Sequence, residues 1–232
     1  MSRREELTRR LQAVEERLAR ACTAAGRERA ELTLIAVTKT FPADDVRLLA
    51  ELGVRHVGEN RDQEAAGKAA ACSDLSLSWH FVGQLQRNKT RSVATYAAAV
   101  HSVDRARLVS ALDRAADAAG HPLDALIQVD LDPHPEPGRG GALPADVATL
   151  ADAVDAAGHL RLAGLMAVAP ADVDPAPAFA RLGELAAAVR RDHPEATWVS
   201  AGMSGDLETA VAAGATHVRV GGALLGSRPP LR

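Results

Sequence analysis

Apolar positions along this chain follow two rhythms in turn. Leu7, Leu11, Val14 and Leu18 recur at helical spacing among arginines and glutamates, which predicts an amphipathic helix over residues 3–25 that Gly26 stops. Residues 32–40, LTLIAVTKT, are apolar or β-branched at nearly every position. That is the pattern of a strand buried on both faces. A helix over 42–53, opened by Pro42 and closed by Gly53, comes next. The alternation then persists to the carboxyl terminus. Strands are predicted over 55–58, 78–83, 98–103, 123–131, 160–168, 197–202 and 217–222, with helices over 61–72, 87–95, 105–119, 144–157, 175–191 and 206–213 between them.

Eight doubly buried strands, each but the last followed by a helix, imply a parallel α/β sheet. Eight repeats of the unit predict closure into a single (β/α)8 TIM-type barrel with an extra N-terminal helix. An open doubly wound sheet is the alternative, but no G-x-G-x-x-G turn follows the first strand. Nothing in the composition divides the chain, so residues 1–232 are expected to form one domain. The proline- and glycine-rich stretch 133–141 falls between the fifth strand and its helix, where barrels carry functional loops.

Hydrophobic residues are 47% of the 232 and aromatic ones only 3%, so the core must be built from Ala, Val and Leu. A net charge of -3 spread over both signs supplies neither the basic field that nucleic acid requires nor a polybasic membrane anchor. Cys22 and Cys72 are too few for a disulfide framework, and no metal-ligand spacing is present. The amino terminus lacks the apolar run of a signal peptide, and no stretch approaches the roughly 20 apolar residues of a membrane span. A soluble cytoplasmic protein is expected.

The anomaly is Lys39. In a strand it shares a face with Thr33, Ile35 and Val37. An ammonium that ends an apolar row is costly unless bound, and desolvation lowers a lysine's pKa toward the range in which the neutral amine attacks a carbonyl. A lysine snorkelling from a strand end into water is the plainer alternative. Closure of a barrel makes the first and eighth strands neighbours, which brings Lys39 and Arg219 to the carboxyl end, where barrel active sites lie. Ser204 and Gly205 precede a helix, and Gly221 and Gly222 follow the eighth strand. In a barrel these positions make a phosphate cradle; without one they are a helix cap and a glycine turn. A Schiff-base lysine beside a phosphate site suits either a phosphorylated sugar, as in aldolases, or pyridoxal 5′-phosphate (PLP).

Other residues carry less. His101, at the end of the fourth strand, is suited to a cofactor contact or to a structural hydrogen bond. Asp130 and Asp132 lack further metal ligands and are expected to cap a loop. Arg87, Lys89 and Arg91 form a basic cluster too small for nucleic acid.

Five blocks, AVTKT, HVGENRDQE, WHFVGQLQRNKTR, GLMAVAP and SAGMSGDLETAVAAGATHVRVGGALLG, together resemble the pyridoxal phosphate homeostasis proteins, which are similar to the barrel domain of alanine racemase. The resemblance implies a PLP cofactor with its internal aldimine on Lys39, its phosphate on Ser204 and its pyridine nitrogen facing Arg219. It also places Asn60, His80 and Met166 around the cofactor. Gly222 stands where many relatives have a threonine, which removes a hydroxyl contact to phosphate, and Arg139 takes the basic position of the loop DPHPEPGRGG. An arginine can only donate, so the ring nitrogen would stay unprotonated and be a weak electron sink. Alanine racemase adds a tyrosine base from a further domain. Here the lone tyrosine, Tyr96, falls in the third helix of the repeat. The resemblance thus implies a PLP carrier that stores, buffers or delivers the cofactor, with apo-enzymes as partners, a monomeric state and little turnover. A weak racemase and a Schiff-base aldolase are the enzyme alternatives.

Overall fold

Eight strands close into one parallel barrel in sequence order, β1 to β8, with β8 returning to β1. The computed structural model describes residues 1–132, 140–170 and 173–227. The strands are β1 Thr33–Val37, β2 His56–Glu59, β3 Ser78–Phe81, β4 Ala99–Val103, β5 Leu123–Val129, β6 Leu160–Ala167, β7 Trp198–Ser200 and β8 His217–Val220. The helices are α1 Arg3–Ala24, α2 Ala43–Glu51, α3 Asp62–Ala71, α4 Thr90–Ala94, α5 Ala106–Ala119, α6 Val147–Asp155, α7 Ala176–Asp192, α8 Leu207–Ala212 and α9 Gly222–Leu225.

The strand period of two sorts the side chains. Outward residues Leu34 and Ala36 of β1 and Val218 and Val220 of β8 join Leu7, Val14 and Leu18 of α1 in one apolar cluster. This is why the extra N-terminal helix docks beside α8 and α9. Leu123, Ala125, Ile127 and Val129 of β5 do the same toward α5, α6 and α7. The inward face is smaller and more polar. Gly58 leaves room against Ile35 and Val37, and the bore beyond them holds the imidazoles of His56, His80, His101 and His217 beside Met166 and Trp198.

Three boundaries differ from the expected ones. β1 ends at Val37, so Lys39 stands past the strand in a turn whose next residue, Thr40, has φ +71. The segment 87–95 opens as a tight turn over Arg87–Lys89 before α4. β8 also has its own helix, α9, because Leu224 and Leu225 bury into the α1 cluster.

Candidate functional site

The turn that carries Lys39 is held from outside the barrel. Glu59, the last residue of β2, accepts the Thr38 hydroxyl at 2.6 Å, and Lys68 of α3 donates to Glu59 at 2.7 Å, to Glu64 at 2.6 Å and to the carbonyl of Thr38 at 2.7 Å. Glu64 in turn accepts the Thr40 amide. The residues on either side of Lys39 are therefore both fixed through one buried ion-pair cluster, and Lys39 itself is half-buried. Burial outweighs the bonds from Lys68 and Thr38 and holds the Glu59 carboxyl above its ordinary range.

The loops after β7 and β8 form the adjoining wall. A Cβ on Gly221 would stand 3.3 Å from the carbonyl of Val37, so this loop packs on the end of β1. Gly205 and Gly222 have open space where a side chain would be. The Ser204 hydroxyl accepts the Ala223 amide at 3.4 Å rather than capping α8. The local bond before α8 comes instead from Asp206, which accepts the Met203 amide at 2.6 Å. Helix α1 fastens the same loop: Arg17 donates to the Ser204 carbonyl at 2.7 Å and to Glu208 at 2.6 Å.

Beneath this mouth lies Arg219, paired in register with Ile35 and only 4% exposed. Its guanidinium donates to the Ser200 hydroxyl at 2.7 Å and to the carbonyl of Ala167, the final residue of β6, at 2.9 Å. Burial lowers its pKa from the usual arginine range to about 10, opposed by Asp206. Ser200 meets His101 Nδ1 at 3.0 Å, His101 Nε2 meets His80 Nδ1 at 2.9 Å, and His80 Nε2 meets His56 Nδ1 at 2.9 Å. Both nitrogens of His80 are thereby taken, which leaves neither for a ligand in its mouth. Burial holds His80 and His101 well below the ordinary histidine range, with neighbouring imidazoles adding to it. Met166 is buried on the bore side with Leu126, Ala163 and Trp198.

Asn60 follows β2 at the same end of the barrel and lines an open cleft of about 440 Å³ with Arg61, Asp62, Gln84 and Lys89. A Cβ on Gly83 would lie 2.3 Å from its carbonyl, so glycine there lets the two loops touch. Lys39, Asn60, Ser204, Gly205, Gly221 and Gly222 thus share the carboxyl end, with Arg219 below them. His80 lies deeper.

His101 takes the structural role. Asp130 accepts the Asp132 amide at 3.1 Å, a loop bond, and no group of metal ligands forms among the described residues. Tyr96 sits in the turn after α4, outside the barrel, where burial raises its phenol. Arg139 lies outside the described residues. No helix among the described residues is long and apolar enough to cross a membrane. Sequence reasoning missed Ser200, His56, Glu59 and Lys68. The signal for the histidines was available: RHV, WHF and VHS each put a histidine at an inward strand position.

Comparison with known proteins gives the family and the fold. The family model of the alanine racemase N-terminal domain matches residues 10–229. The pyridoxal phosphate homeostasis protein of Mycobacterium leprae is 44% identical over 97% of this chain and 93% of its own length. That of Escherichia coli K12 is 36% identical over 96% and 97%. PipY of Synechococcus elongatus PCC7942, solved with PLP bound, superposes with a TM-score of 0.83 at 35% identity and covers 95% of this chain and 100% of PipY. Alanine racemase of Streptomyces coelicolor A3(2), 22% identical, shares the fold with a TM-score of 0.74 over 96% of this chain and 59% of the racemase.

Proposed function

Because the chain belongs to the pyridoxal phosphate homeostasis proteins, built on the alanine racemase N-terminal domain, we propose that it binds PLP covalently through Lys39 and serves to store, buffer or deliver it. The observation that carries this reading is the clamped Lys39 turn at the end of β1, on whose last residue, Val37, the Gly221 loop packs.

The residues present fit the group. Gly205 and Gly222 leave unfilled space beside the Ser204 hydroxyl, room that a phosphate would take with the backbone N–H groups of 221–223. Arg219 is a donor-only cation buried in the bore. Two of its five N–H groups go to Ser200 and Ala167, and another would serve the ring nitrogen. Asn60 and Met166 would line the ring, while His80, with both nitrogens bonded, would act only through its neighbours.

When bound, PLP supplies an aldehyde with which an amine condenses, releasing water. Lys39 is the amine. Arg219 keeps the ring nitrogen unprotonated, which makes the ring a weak electron sink and favours holding over turnover. Tyr96 has no place at the mouth to supply a second base. The reading extends to a cytoplasmic monomer that passes PLP to apo-enzymes.

Incubation with PLP followed by gel filtration tests it. The protein is expected to elute with about one equivalent of PLP and an absorbance band at the violet edge of the visible. A colourless protein would sink the reading.

A further inference from the structure

The bore holds more machinery than a binding site for an aldehyde and a phosphate requires. Four polar side chains from four strands stand in line beneath Arg219: Ser200 of β7, His101 of β4, His80 of β3 and His56 of β2, each 2.9 or 3.0 Å from the next. Arg219 fixes the direction of this line. A guanidinium only donates, so the Ser200 oxygen accepts from Arg219; Ser200 is fully buried and its other side-chain partner is His101 Nδ1, so satisfying the buried hydroxyl proton assigns that proton to His101 Nδ1. His101 must then carry its proton on Nε2 and donate to His80 Nδ1, and His80 must carry its own on Nε2 and donate to His56 Nδ1. Every acceptor points toward the buried cation.

We propose that Ser200, His101, His80 and His56 are positioning residues, a one-way hydrogen-bond wire that holds Arg219 as a fixed donor at the ring end of the PLP site and releases it when an imidazole is protonated. This rests on the PLP reading above. Only neutral imidazoles carry the polarity, since each accepts at Nδ1 and donates at Nε2. Adding a proton to any of them sets donor against donor, breaks the line there and puts a second cation beneath Arg219.

The surroundings supply little compensation. β1 brings Thr33, Ile35 and Val37 to the bore, β6 brings Met166, and β7 adds Trp198. Asp124 of β5 is engaged with Arg161 at 2.5 Å. His217 of β8 lies with its ring 6.5 Å from that of His80, and burial lowers its pKa to about 4. Asp206 is the carboxylate that acts on Arg219. At the opposite end, half-buried His56 opens onto a cleft with Glu15, Arg29 and Arg55. The folded-state pKa values of these imidazoles lie below the ordinary 6.5. The unfolded chain therefore binds protons first, so the stability of the line is complete above about pH 6.5 and is lost as pH falls through the folded values.

The test reads tautomers in the protein without PLP and then its affinity for PLP. Nitrogen-15 histidine spectra at pH 7 are expected to show His80 and His101 protonated at Nε2 alone. Ser200→Ala should release the His101 tautomer, weaken PLP about tenfold and raise the pH at which PLP is lost. At the far end, His56→Leu removes an acceptor and should also weaken binding. His56→Gln supplies one that does not titrate; it should restore most of the affinity and lower the pH of release. A His101 or His80 protonated at Nδ1, or variants whose tautomers and pH profiles match the wild type, would overturn the proposal. If the wild type bound no PLP, the PLP reading would fail, and the tautomers would still decide whether the wire exists. If Ser200→Ala did not fold, the two His56 variants decide.

Discussion

Lys39→Ala is expected to lose covalent retention of PLP and to leave a protein that binds it at least about a hundredfold more weakly, a loss of roughly 3 kcal/mol. The chain contains three lysines, at 39, 68 and 89. Lys68 is committed to Glu59, Glu64 and the Thr38 carbonyl, and Lys89 stands near Asp62 at 3.7 Å. Neither substitutes for an amine in the mouth of the barrel. What remains in the variant is the phosphate contact at Ser204 and the 221–223 backbone with the ring contact at Arg219, so weak, colourless binding should persist. Lys39→Arg keeps the charge and cannot form the imine. It should behave like the alanine variant by absorbance after dialysis. A variant that retained the visible band would show that another amine holds the cofactor.

Lys68→Ala should be the most damaging substitution for stability. Lys68 is 7% exposed and Glu59 fully buried, and their nitrogen and oxygen lie 2.7 Å apart. Removing one member of a buried pair leaves an uncompensated charge, which costs about 3–5 kcal/mol. In a domain of this size that lowers the melting temperature by roughly 10 °C. The second Glu59 oxygen already has no partner, so the carboxyl would be left with the Thr38 hydroxyl alone. The loss should also loosen the Lys39 turn, whose Thr38 carbonyl gives up its lysine. Glu59→Gln combined with Lys68→Met removes both charges and should recover much of the stability while PLP affinity stays low. Urea denaturation of the three proteins measures this, and a single variant as stable as the wild type would contradict the clamp.

The order of strands and helices was legible because parallel strands are buried on both faces, so each stands out as an apolar run punctuated by glycine or proline. The end of β1 was not. Thr38 and Thr40 have strand propensity, yet the bonds from Glu59, Lys68 and Glu64 draw residues 38–40 into a turn. Lys68 drew no attention within the helix predicted over 61–72, since only its bond to Glu64 is local and its bond to Glu59 is made by tertiary packing. The bore was hidden for a related reason. His56, His80 and His101 each occur singly in separate strands, and only closure of the sheet puts them in line with Ser200 and Arg219. The positions from Ser204 to Gly222 were readable as an anion loop once closure was assumed, but the pairing of Ser204 with Ala223 depends on where α9 begins, a helix absent from the periodicity.

Borohydride reduction of the PLP-loaded protein, followed by digestion and peptide mass mapping, tests the central claim most directly, because reduction freezes the linkage on the amine that carries it. The pyridoxyl mass is expected on the peptide containing Lys39 and nowhere else. A label on Lys68, Lys89 or the amino terminus with Lys39 unmodified would contradict the account.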